Sequence, residues 1–597
     1  MKYKNKIIFA ALPSMALSMT PSANAYDFNI GEIEGQITSQ LSIGTNIATA
    51  DPDKRFIFTS SGGTGTSRTG DDGRLNFKKG DVFSTVFKGI HDLELKHGDT
   101  GLFVRGKYWY DFELKDGHQD FYDIDDSGRK PLQKASGTYL LDAFIYQNYN
   151  IKDNPGSVRL GRQVVSWGES VFIPNSINTI NPVDVASLRR PGSEVKEALL
   201  PVEMLYVSQG LSDSLGVEFF YQLKFQPTSV ENCGTFFAVD PTATGCVDRL
   251  VINGPDLPQG DPNLAHGWLA NPALANYSVR TQKDKDARDS GQFGVAFRYQ
   301  AESLNNTEFG FYAMNYHSRT PIQSYVAGPG LKGQPGVVGI NGVSGPSGYF
   351  FEYPEDIRLY GVSFQTNVSD WSFGGELSYR PNMPLQISTA DLGRTATAIF
   401  GDSTHRNLGN LPVNSYIQGY ERKEFWQAQV SAVKFFDQVL GASRMTVIGE
   451  VGANYIGGIS DKDNTTQFGR DSTFGQSPNA AGRCATQGPP AASPKADSWC
   501  TTDGFYSDIS WGYRVRTSLD YNNVFAGINL IPSVAFSHDV SGYSVNFTEN
   551  AKAISVGLTA EYLAKYSVGV NYTDYFDGKF NNLVDRDYLS VNATVSF

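Results

Sequence analysis

The last eleven residues, 587–597, alternate strictly between polar and apolar side chains. Leu589, Val591, Ala593, Val595 and Phe597 occupy every second position, and polar residues lie between them. Successive side chains of a β-strand point to opposite faces, so the segment predicts a strand with one aliphatic and one polar face. This length and pattern are typical of the closing strand of a transmembrane β-barrel. An ordinary half-buried strand in a soluble sandwich would show the same alternation.

Segments of this kind recur along the chain at intervals set by turn residues. Their recurrence predicts an all-β fold, a transmembrane antiparallel β-barrel of about 18 strands, with 16 to 18 as the range that weak single-strand signals allow. The candidate strands are 35–48, 82–95, 102–110, 139–151, 158–165, 202–209, 215–226, 291–299, 308–318, 357–368, 372–380, 421–436, 445–456, 510–521, 524–537, 553–562, 566–575 and 587–597.

The connections between these strands alternate between short and long. The short ones are 97–100, 152–156, 211–214, 301–306, 369–370, 437–442, 522–523 and 563–565. The longest ones are 49–81, 111–137, 166–201, 227–290, 319–356, 381–420 and 457–509. Outer-membrane barrels have short periplasmic turns and long extracellular loops, whereas a soluble sandwich predicts no such parity. With both termini in the periplasm, every long loop would be extracellular.

The amino terminus predicts export. Lys2, Lys4 and Lys6 precede an apolar run at 7–19, and the small residues A-N-A end at Ala25. This order is that of a secretory signal peptide cleaved after Ala25. No later stretch approaches the roughly eighteen consecutive apolar residues of a spanning helix, so we expect a barrel in the outer membrane of a Gram-negative bacterium.

The predicted domain organisation follows from these patterns. It comprises a cleaved signal peptide at 1–25 and a single outer-membrane barrel domain at 26–597, with a luminal segment at 166–201 and long extracellular loops at 227–290, 319–356, 381–420 and 457–509.

Composition and charge agree with a barrel. Hydrophobic residues make up 40% of the chain and aromatic residues 13%, a balance expected when only alternate residues face lipid and aromatics form girdles. Removal of 1–25 takes three lysines and no acids from 50 basic and 62 acidic residues, which leaves 47 − 62 = −15. This charge argues against nucleic acid or anionic lipid as a partner recruited by charge.

Four cysteines remain in the exported chain: Cys233, Cys246, Cys484 and Cys500. Their spacing suggests two local disulfides, Cys233 with Cys246 and Cys484 with Cys500, although four cysteines permit three pairings. Both pairs lie in long loops, where a disulfide would brace a segment of low hydrophobic content. Neither pair has the spacing of a zinc site, so no metal or cofactor is expected.

The strands indicate a polar lumen with charges of both signs. Arg514 and Arg516 alternate with Tyr513 and Val515, and an arginine at the bilayer centre costs about 2 to 4 kcal/mol on the lipid face. The wall residues predicted to line the lumen are Arg105, Lys107, Arg159, Arg162, Glu376, Arg380, Glu450, Arg514 and Arg516. These charges could form a wet pathway with a transverse field at a constriction, or ion pairs that hold the wall and an internal segment together.

Segment 166–201 departs from the strand pattern. Asn181, Pro182 and Asp184 provide helix-start signals, and the segment holds too many aliphatic residues for an exposed loop. We therefore predict that it folds into the barrel as a constriction or plug. A lid over the barrel mouth, or a patch that contacts a neighbouring subunit, would also bury it. Its predicted luminal residues are Trp167, Glu169, Asp184, Arg189 and Arg190.

Several motifs resemble a proteobacterial family of outer-membrane proteins known only as domain of unknown function 1302. They are R-L-G-R-Q at 159–163, S-W-G-E at 166–169, I-N-P-V-D at 180–184, R-R-P-G at 189–192, G-E-L-S-Y-R-P-N-M-P-L-Q at 375–386 and F-S-H-D-V-S-G at 536–542. The resemblance implies a porin-like barrel often linked with export machinery of the resistance-nodulation-division type and with hydrophobic compounds. It implies no substrate and no catalytic residue.

The favoured function is a channel or transporter that passes a small hydrophobic or amphipathic solute. Segment 166–201 would be its constriction, loops 319–356 and 381–420 its gates, and residues 390–400 a short helix in the second loop. The expected surroundings and partners are outer-membrane lipid and lipopolysaccharide, the solute, export machinery and further copies of the chain in a homo-oligomer such as a trimer.

Two other functions compete with the channel. A surface-binding or structural barrel would share every feature except solute passage. An outer-membrane lipid-modifying enzyme would need a histidine base beside a nucleophile or water, and the most suggestive pair, His538 and Asp539, points to opposite faces of a strand. We therefore expect no enzyme and no catalytic residues. Alternation from residue 35 onward leaves no room for the plug domain of a TonB-dependent receptor, and strands along the whole chain disfavour an autotransporter.

Overall fold

A computed structural model describes residues 25–597 apart from 66–68, 239–241, 244–245, 247–248, 254–275, 281–282, 328–347, 398–414, 460–465 and 478–499. The chain is dominated by β-strands, with short helices confined to the connections. In these described ranges no helix has the length and apolar content needed to cross a membrane.

The described strands, in chain order, are β1 (Tyr26–Ile30), β2 (Ile33–Ala48), β3 (Val82–His97), β4 (Thr100–Asp111), β5 (Ser136–Ile151), β6 (Asn154–Gln163), β7 (Val202–Gly210), β8 (Leu215–Gln222), β9 (Arg249–Asn253), β10 (Asn276–Val279), β11 (Phe293–Ala301), β12 (Thr307–Tyr316), β13 (Ile322–Val326), β14 (Gly348–Glu352), β15 (Ile357–Val368), β16 (Trp371–Gln386), β17 (Tyr416–Ile417), β18 (Tyr420–Asp437), β19 (Arg444–Ile456), β20 (Ile509–Phe525), β21 (Ile528–Ser541), β22 (Lys552–Tyr562), β23 (Tyr566–Phe576) and β24 (Tyr588–Ser596). Nineteen of them form one antiparallel sheet, and β9, β10, β13, β14 and β17 form a separate five-stranded sheet.

The large sheet closes on itself. Each strand pairs with its neighbour in the chain, skipping those of the small sheet, and β24 returns to β2 with Gln40 opposite Ser596 and Ala48 opposite Tyr588. Closure removes the exposed edge that a bilayer does not tolerate. The prediction of an antiparallel barrel of about 18 strands is confirmed, because β2 and its partners form a closed ring of 18.

The remaining strand of the large sheet, β1, lies next to the point of closure. Tyr26 pairs with Ile37 and Ile30 with Ile33, so β1 covers the first half of β2 while β24 covers the second half. The sequence analysis did not identify β1, since its five residues are too short to show a clear alternation.

One predicted turn is wrong. The sequence placed the β20–β21 turn at 522–523, but β20 continues to Phe525 and the turn consists of Ala526 and Gly527, with φ of 51° and 83°. The side chain of Asn523 accepts a hydrogen bond from the Gly527 N–H at 3.0 Å. The asparagine therefore supports the turn from the adjoining strand instead of forming it.

The wall separates apolar from polar residues by the strand alternation. Outward side chains such as Val430 and Val451 remain 49% and 51% exposed. Inward neighbours on the same strands are polar and buried, as Gln427 and Gln429 are on β18, at 0% and 3% exposure. An apolar outer band around a polar interior is the arrangement that a lipid-embedded barrel requires.

The long connections carry the helices, which are Asp72–Asn76, Phe112–Asp116, Val185–Arg189, Val195–Ala198 and Thr389–Thr397. The last overlaps the predicted helix at 390–400, of which residues 398–400 lie outside the described ranges. The small sheet also belongs to these connections, and the sequence did not predict it because its strands are two to five residues long.

One predicted disulfide is present. Cys233 and Cys246 are bonded, with their Cα atoms 5.7 Å apart, in the connection between β8 and β11. Cys484 lies outside the described residues, so its pairing with Cys500 stays a prediction.

Candidate functional site

Residues 166–201, here called the plug, lie inside the barrel. Their backbone or side chains form hydrogen bonds with inward residues of strands that follow the ring from β2 to β19. These wall residues are Asn46 on β2, Lys88 on β3, Lys107 on β4, Gln222 on β8, Glu376 and Arg380 on β16, Gln427 on β18 and Glu450 on β19. A lid above the mouth could not reach so many strands, and the plug therefore lies within the lumen.

The first part of the plug is held by a buried tryptophan. Trp167 has no exposed surface, and its ring packs against Phe220 and Tyr312 with centroids 5.0 and 5.7 Å away. Its indole N–H donates to the Glu218 carboxylate at 2.6 Å. A buried indole needs such an acceptor, so wall and plug satisfy each other at this position.

Two wall carboxylates bind the plug backbone. Glu450 accepts the N–H groups of Val171, Phe172 and Ile173 at 2.9, 2.7 and 2.6 Å. Glu376 likewise accepts the N–H groups of Glu169 and Ile177. Hydrogen bonds to a charged acceptor are about twice as strong as neutral ones, so the two glutamates fix the plug backbone in position.

Arg380 provides the opposite contact. Its guanidinium donates to the carbonyl oxygens of Asn175 at 2.6 Å and Ser176 at 2.7 Å, and to the hydroxyl of Tyr316 at 2.8 Å. Wall acids therefore bind plug amides and a wall arginine binds plug carbonyls. The plug needs no regular secondary structure here, because the wall satisfies its backbone groups.

The wall approaches the plug closely at two glycines. A Cβ atom added to Gly452 would lie 2.7 Å from Ile173 Cδ1, and one added to Gly361 would lie 2.7 Å from Ile177 Cγ1. Contacts this short do not occur between real atoms, so a larger residue at either position would displace the plug isoleucine.

The second part of the plug is held by ion pairs with β3 and β4. Lys107 Nζ lies 2.9 Å from Asp184 Oδ2, with both side chains almost fully buried. Lys88 Nζ lies 2.6 Å from Glu197 Oε1 and also donates to the Gly192 carbonyl. Asp184 in addition accepts the Ser187 N–H and so caps the helix Val185–Arg189.

The other charged residues predicted for the lumen have different surroundings. Arg105 forms two bonds of 2.7 Å with Asp92 on the neighbouring strand, and Arg162 donates to the Tyr139 hydroxyl at 2.6 Å and to the Pro201 carbonyl. Arg159 packs its guanidinium over the Tyr206 ring at 5.2 Å. The contacts of Arg105 with Asp92 and of Arg159 with Tyr206 therefore lie within the wall. The predicted constriction role of these residues remains a hypothesis.

The two arginines of β20 form no hydrogen bond with the plug among the described residues. Arg514 forms an ion pair with Asp539, 2.5 Å away, on β21. Arg516 is exposed and forms no ion pair with any residue in the described ranges.

Sequence reasoning missed several residues that hold the plug. Lys88, Glu218 and Arg319 were not identified, although strand alternation would have placed the first two on the inward face. Arg319 follows β12 and donates to the Ile180 carbonyl at 2.9 Å. Burial lowers the pKa of Arg319 to about 10. No local pattern indicates its partner, which lies 139 residues away in the chain.

Solvent-accessible space remains beside the plug along β20 to β23. Inward residues there are half-buried: Ser533, Ala535, Ser537, Ser555, Gly557 and Asn571. On the other side of the ring, comparable small residues are closed off by the plug, such as Ser378 at 0% and Ser363 at 5% exposure. The plug therefore packs against one side of the lumen and leaves a polar wall of small residues open on the other.

A small pocket lies above the plug, at the long-loop end of the barrel. This mouth pocket has a volume of about 60 Å³ and is lined by Phe83, Ser84, Asp111, Leu114, Ile124, Gln133, Lys134, Ala135, Ala186, Arg189, Arg190, Glu231, Asn232, Thr235, Phe236 and Phe237. The β4–β5 connection, the β8–β9 connection and the plug helix Val185–Arg189 meet there.

Two predicted plug residues border this pocket. Arg189 forms an ion pair with Glu231 at 3.1 Å and lies over the Phe237 ring at 4.3 Å. Arg190 lies over the Trp109 ring at 4.7 Å and donates a long bond of 3.4 Å to the Ser187 hydroxyl. The pocket thus combines aromatic walls with guanidinium groups. Among the described side chains, no cluster of three or more His, Cys, Asp or Glu residues is arranged to hold a metal ion.

Comparisons with solved structures return outer-membrane barrels of low similarity. The chain is similar to OccAB1 of Acinetobacter baumannii, with 10% identity, coverage of 97% of this chain and 98% of that chain, and a TM-score of 0.39. It is also similar to a BenF-like porin from Pseudomonas fluorescens Pf-5, with 10% identity, coverage of 95% of this chain and 98% of that chain, and a TM-score of 0.38. A third similar structure is the outer membrane channel DcaP of Acinetobacter baumannii, with 12% identity, coverage of 96% of this chain and 99% of that chain, and a TM-score of 0.33.

No curated protein matches the chain. The family match, by contrast, spans almost its whole length, at residues 6–597, and confirms the resemblance carried by the motifs around the plug. The chain therefore belongs to the family described as "Protein of unknown function (DUF1302)".

Proposed function

We propose that this protein is an outer-membrane channel through which a small amphipathic or hydrophobic solute passes beside the plug. The observation that carries the proposal is the asymmetric lumen. The plug is bonded to the wall on one side, whereas the inward residues of β20 to β23 keep contact with solvent. A purely structural role does not require a solvent-accessible polar wall of small side chains beside a packed plug.

The orientation follows from the connections. The short turns would face the periplasm and the long loops the cell exterior, because outer-membrane barrels have this arrangement. Cleavage of 1–25 would leave the mature chain to insert in the outer membrane. Interactions with export machinery, with lipopolysaccharide or with further copies of the chain stay predictions from the sequence.

The amphipathic character of the solute is supported by the linings of the path. Aromatic rings and arginines border the mouth pocket, and the accessible wall presents hydroxyl, amide and small apolar groups. A solute with one polar and one apolar part would find complementary groups at both places. A sugar would leave the aromatic and aliphatic surface of the mouth pocket without a partner.

The test is single-channel conductance of the mature protein in a planar bilayer. The comparison variant replaces 168–200 with a short Gly-Ser link, and heat-modifiable electrophoretic mobility checks that it is folded. We expect small or intermittent currents from the intact protein and a several-fold larger, steady current from the variant, because the link leaves the whole lumen open.

Gly449→Val serves as the control for general disturbance of the wall. A Cβ at Gly449 meets no atom closer than 4.0 Å, so this variant should conduct like the intact protein. Silence from both the intact protein and the folded link variant would overturn the channel proposal and favour a surface-binding barrel.

A further inference from the structure

Arg190 of the plug forms no ion pair with a carboxylate among the described residues. Three neighbouring cations form ion pairs: Arg189 with Glu231, Lys107 with Asp184 and Lys88 with Glu197. Arg190 contacts only the Trp109 ring and the Ser187 hydroxyl in the described part of the chain. Its guanidinium therefore retains donors that an anion can use.

Asp111, which also lines the pocket, is not an ion-pair partner of Arg190. Asp111 accepts hydrogen bonds from the Ser84 hydroxyl at 2.7 Å and from the backbone N–H groups of Thr85, Glu113 and Leu114. It caps the helix Phe112–Asp116, so its carboxylate oxygens are already bonded to that helix and to β3. Among the described residues it forms no ion pair with Arg190.

One side of the mouth pocket is apolar, whereas polar residues such as Gln133, Lys134 and Glu231 line other parts of it. The rings of Phe83 and Phe236 stack with centroids 4.1 Å apart, and Phe237 packs edge-on against Phe236 at 4.9 Å. Leu114 and Ile124 line the same space and are only partly buried. A ligand that satisfies both Arg190 and this apolar side must therefore present an anionic group to Arg190 and hydrocarbon to these side chains.

The volume limits how such a ligand would fit. A cavity of about 60 Å³ takes a head group and the first few carbons but not a large molecule. The remaining tail would extend along the aromatic side chains towards the opening of the pocket.

We propose that the mouth pocket binds an amphipathic organic acid, with its carboxylate on Arg190 and its apolar chain against Phe236 and Leu114. This proposal rests on the proposed function, since it makes the pocket the first binding site of the solute above the plug. The floor of the pocket is the plug helix Val185–Arg189, so the bound acid would lie over the plug at the long-loop end of the barrel.

The test is a titration of the purified, detergent-solubilised protein with hexanoate, followed by isothermal calorimetry. Hexan-1-ol and hexylamine have the same tail without the negative charge, and we expect both to bind at least tenfold more weakly than hexanoate. Arg190→Gln should weaken hexanoate binding at least tenfold, and Arg190→Lys, which keeps the charge but not the planar fork, should weaken it several-fold.

Arg358→Gln is the matched control, because Arg358 is an exposed arginine at the start of β15 and does not line the pocket. Its affinity for hexanoate should equal that of the intact protein. Equal binding of hexanoate and hexan-1-ol would overturn the proposal, as would unchanged binding by folded Arg190→Gln and Arg190→Lys.

The outcome is separable from that of the conductance experiment. Hexanoate binding that depends on Arg190 in a protein that never conducts would support the acid site while the channel proposal fails. If the protein conducts but its affinity for hexanoate is unchanged by substitution of Arg190, the proposed acid site is wrong and the channel proposal still holds.

Discussion

Lys107 and Asp184 form an ion pair of 2.9 Å in the interior of the barrel, with side chains that are 3% and 0% exposed. Lys107 belongs to β4, whereas Asp184 caps a helix of the plug, so the pair links wall and plug. The same ammonium donates to the Ser187 hydroxyl and the Glu197 carbonyl at 2.7 and 3.0 Å. A buried charge that is so fully bonded cannot lose its partner without a large cost.

Lys107→Met should therefore destabilise the plug strongly. It leaves Asp184 buried without a cation, and we expect a loss of about 3 to 5 kcal/mol in the local unfolding free energy of the plug. Hydrogen exchange of the amides in 184–199 measures the effect. In the double variant Lys107→Met with Asp184→Asn much of the loss should be recovered, because no uncompensated charge remains; strictly additive losses would contradict a direct pair.

Glu450→Gln should loosen a different part of the plug. The variant replaces a carboxylate that accepts three consecutive N–H groups by an amide whose NH₂ group opposes them. We expect a loss of about 2 to 4 kcal/mol, because hydrogen bonds to a charged group contribute about 1.5 to 3 kcal/mol each and are only partly lost. Amide exchange at 171–173 should accelerate at least thirtyfold.

The matched control for this experiment is Glu203→Gln. Glu203 is an exposed wall carboxylate and bonds to no plug residue in the described structure. In the Glu203→Gln variant, amide hydrogen exchange at 171–173 should be as slow as in the intact protein. If both variants accelerated exchange equally, the effect would come from the net charge of the wall and not from the Glu450 contacts.

Gly452→Val should push the plug away from β19. The added side chain would meet Ile173 at less than van der Waals distance, and overpacking of this kind costs about 1 to 3 kcal/mol. We expect a smaller single-channel current than that of the intact protein, since the segment displaced from β19 moves towards the open side of the lumen along β20 to β23. Gly449→Val, three residues earlier on the same strand, tests whether valine itself disturbs the barrel.

Asp71 should make the loop 49–81 less stable as the pH rises. Its side chain has no exposed surface and accepts the Phe58 N–H at 2.9 Å, and burial raises its pKa from 3.8 to about 6. The folded loop thus keeps a proton that the unfolded loop loses above pH 4. Local stability should fall between about pH 4 and 6, by up to about 3 kcal/mol, and level off above.

Exchange of the Phe58 amide, corrected for the intrinsic effect of pH, measures this dependence. Asp71→Asn removes the titrating group and should give a flat profile over the same range. A profile that keeps its slope in Asp71→Asn would assign the pH dependence to another group.

Loss of the Cys233–Cys246 disulfide should act locally. Cys233→Ala with Cys246→Ala opens a loop of 13 residues, for which chain entropy predicts about 3 kcal/mol. Asn232, which lines the mouth pocket, donates to the Asp125 carbonyl and accepts from Arg129, so we expect weaker hexanoate binding. The thermal transition of the barrel should change little, since no wall strand contains either cysteine.

The barrel itself could be predicted from the sequence because its information is local. Alternation within each strand and the parity of the connections both follow from the requirement that lipid and lumen face opposite sides. The same local reasoning misplaced the β20–β21 turn, since Asn522 and Asn523 look like turn residues while Ala526 does not. A left-handed conformation at alanine depends on the following glycine and on the Asn523 side chain.

The plug contacts could be predicted only in part. The aliphatic content of 166–201 indicated burial, and charged inward residues such as Lys107 and Glu450 indicated a polar interior. Which charge meets which backbone group depends on the path of an irregular segment, and strand alternation carries no information about it. The mouth pocket was not predicted at all, because it forms where three connections of unrelated sequence come together.

The plug lies against the place where the ring of strands closes. Gly192 lies against Asn592 of β24, and Gly44 of β2 lies against Pro191, so the plug touches both strands of the closing pair. The first and last strands of the ring are therefore linked twice, once by their own backbone ladder and once through the segment that both of them contact from inside.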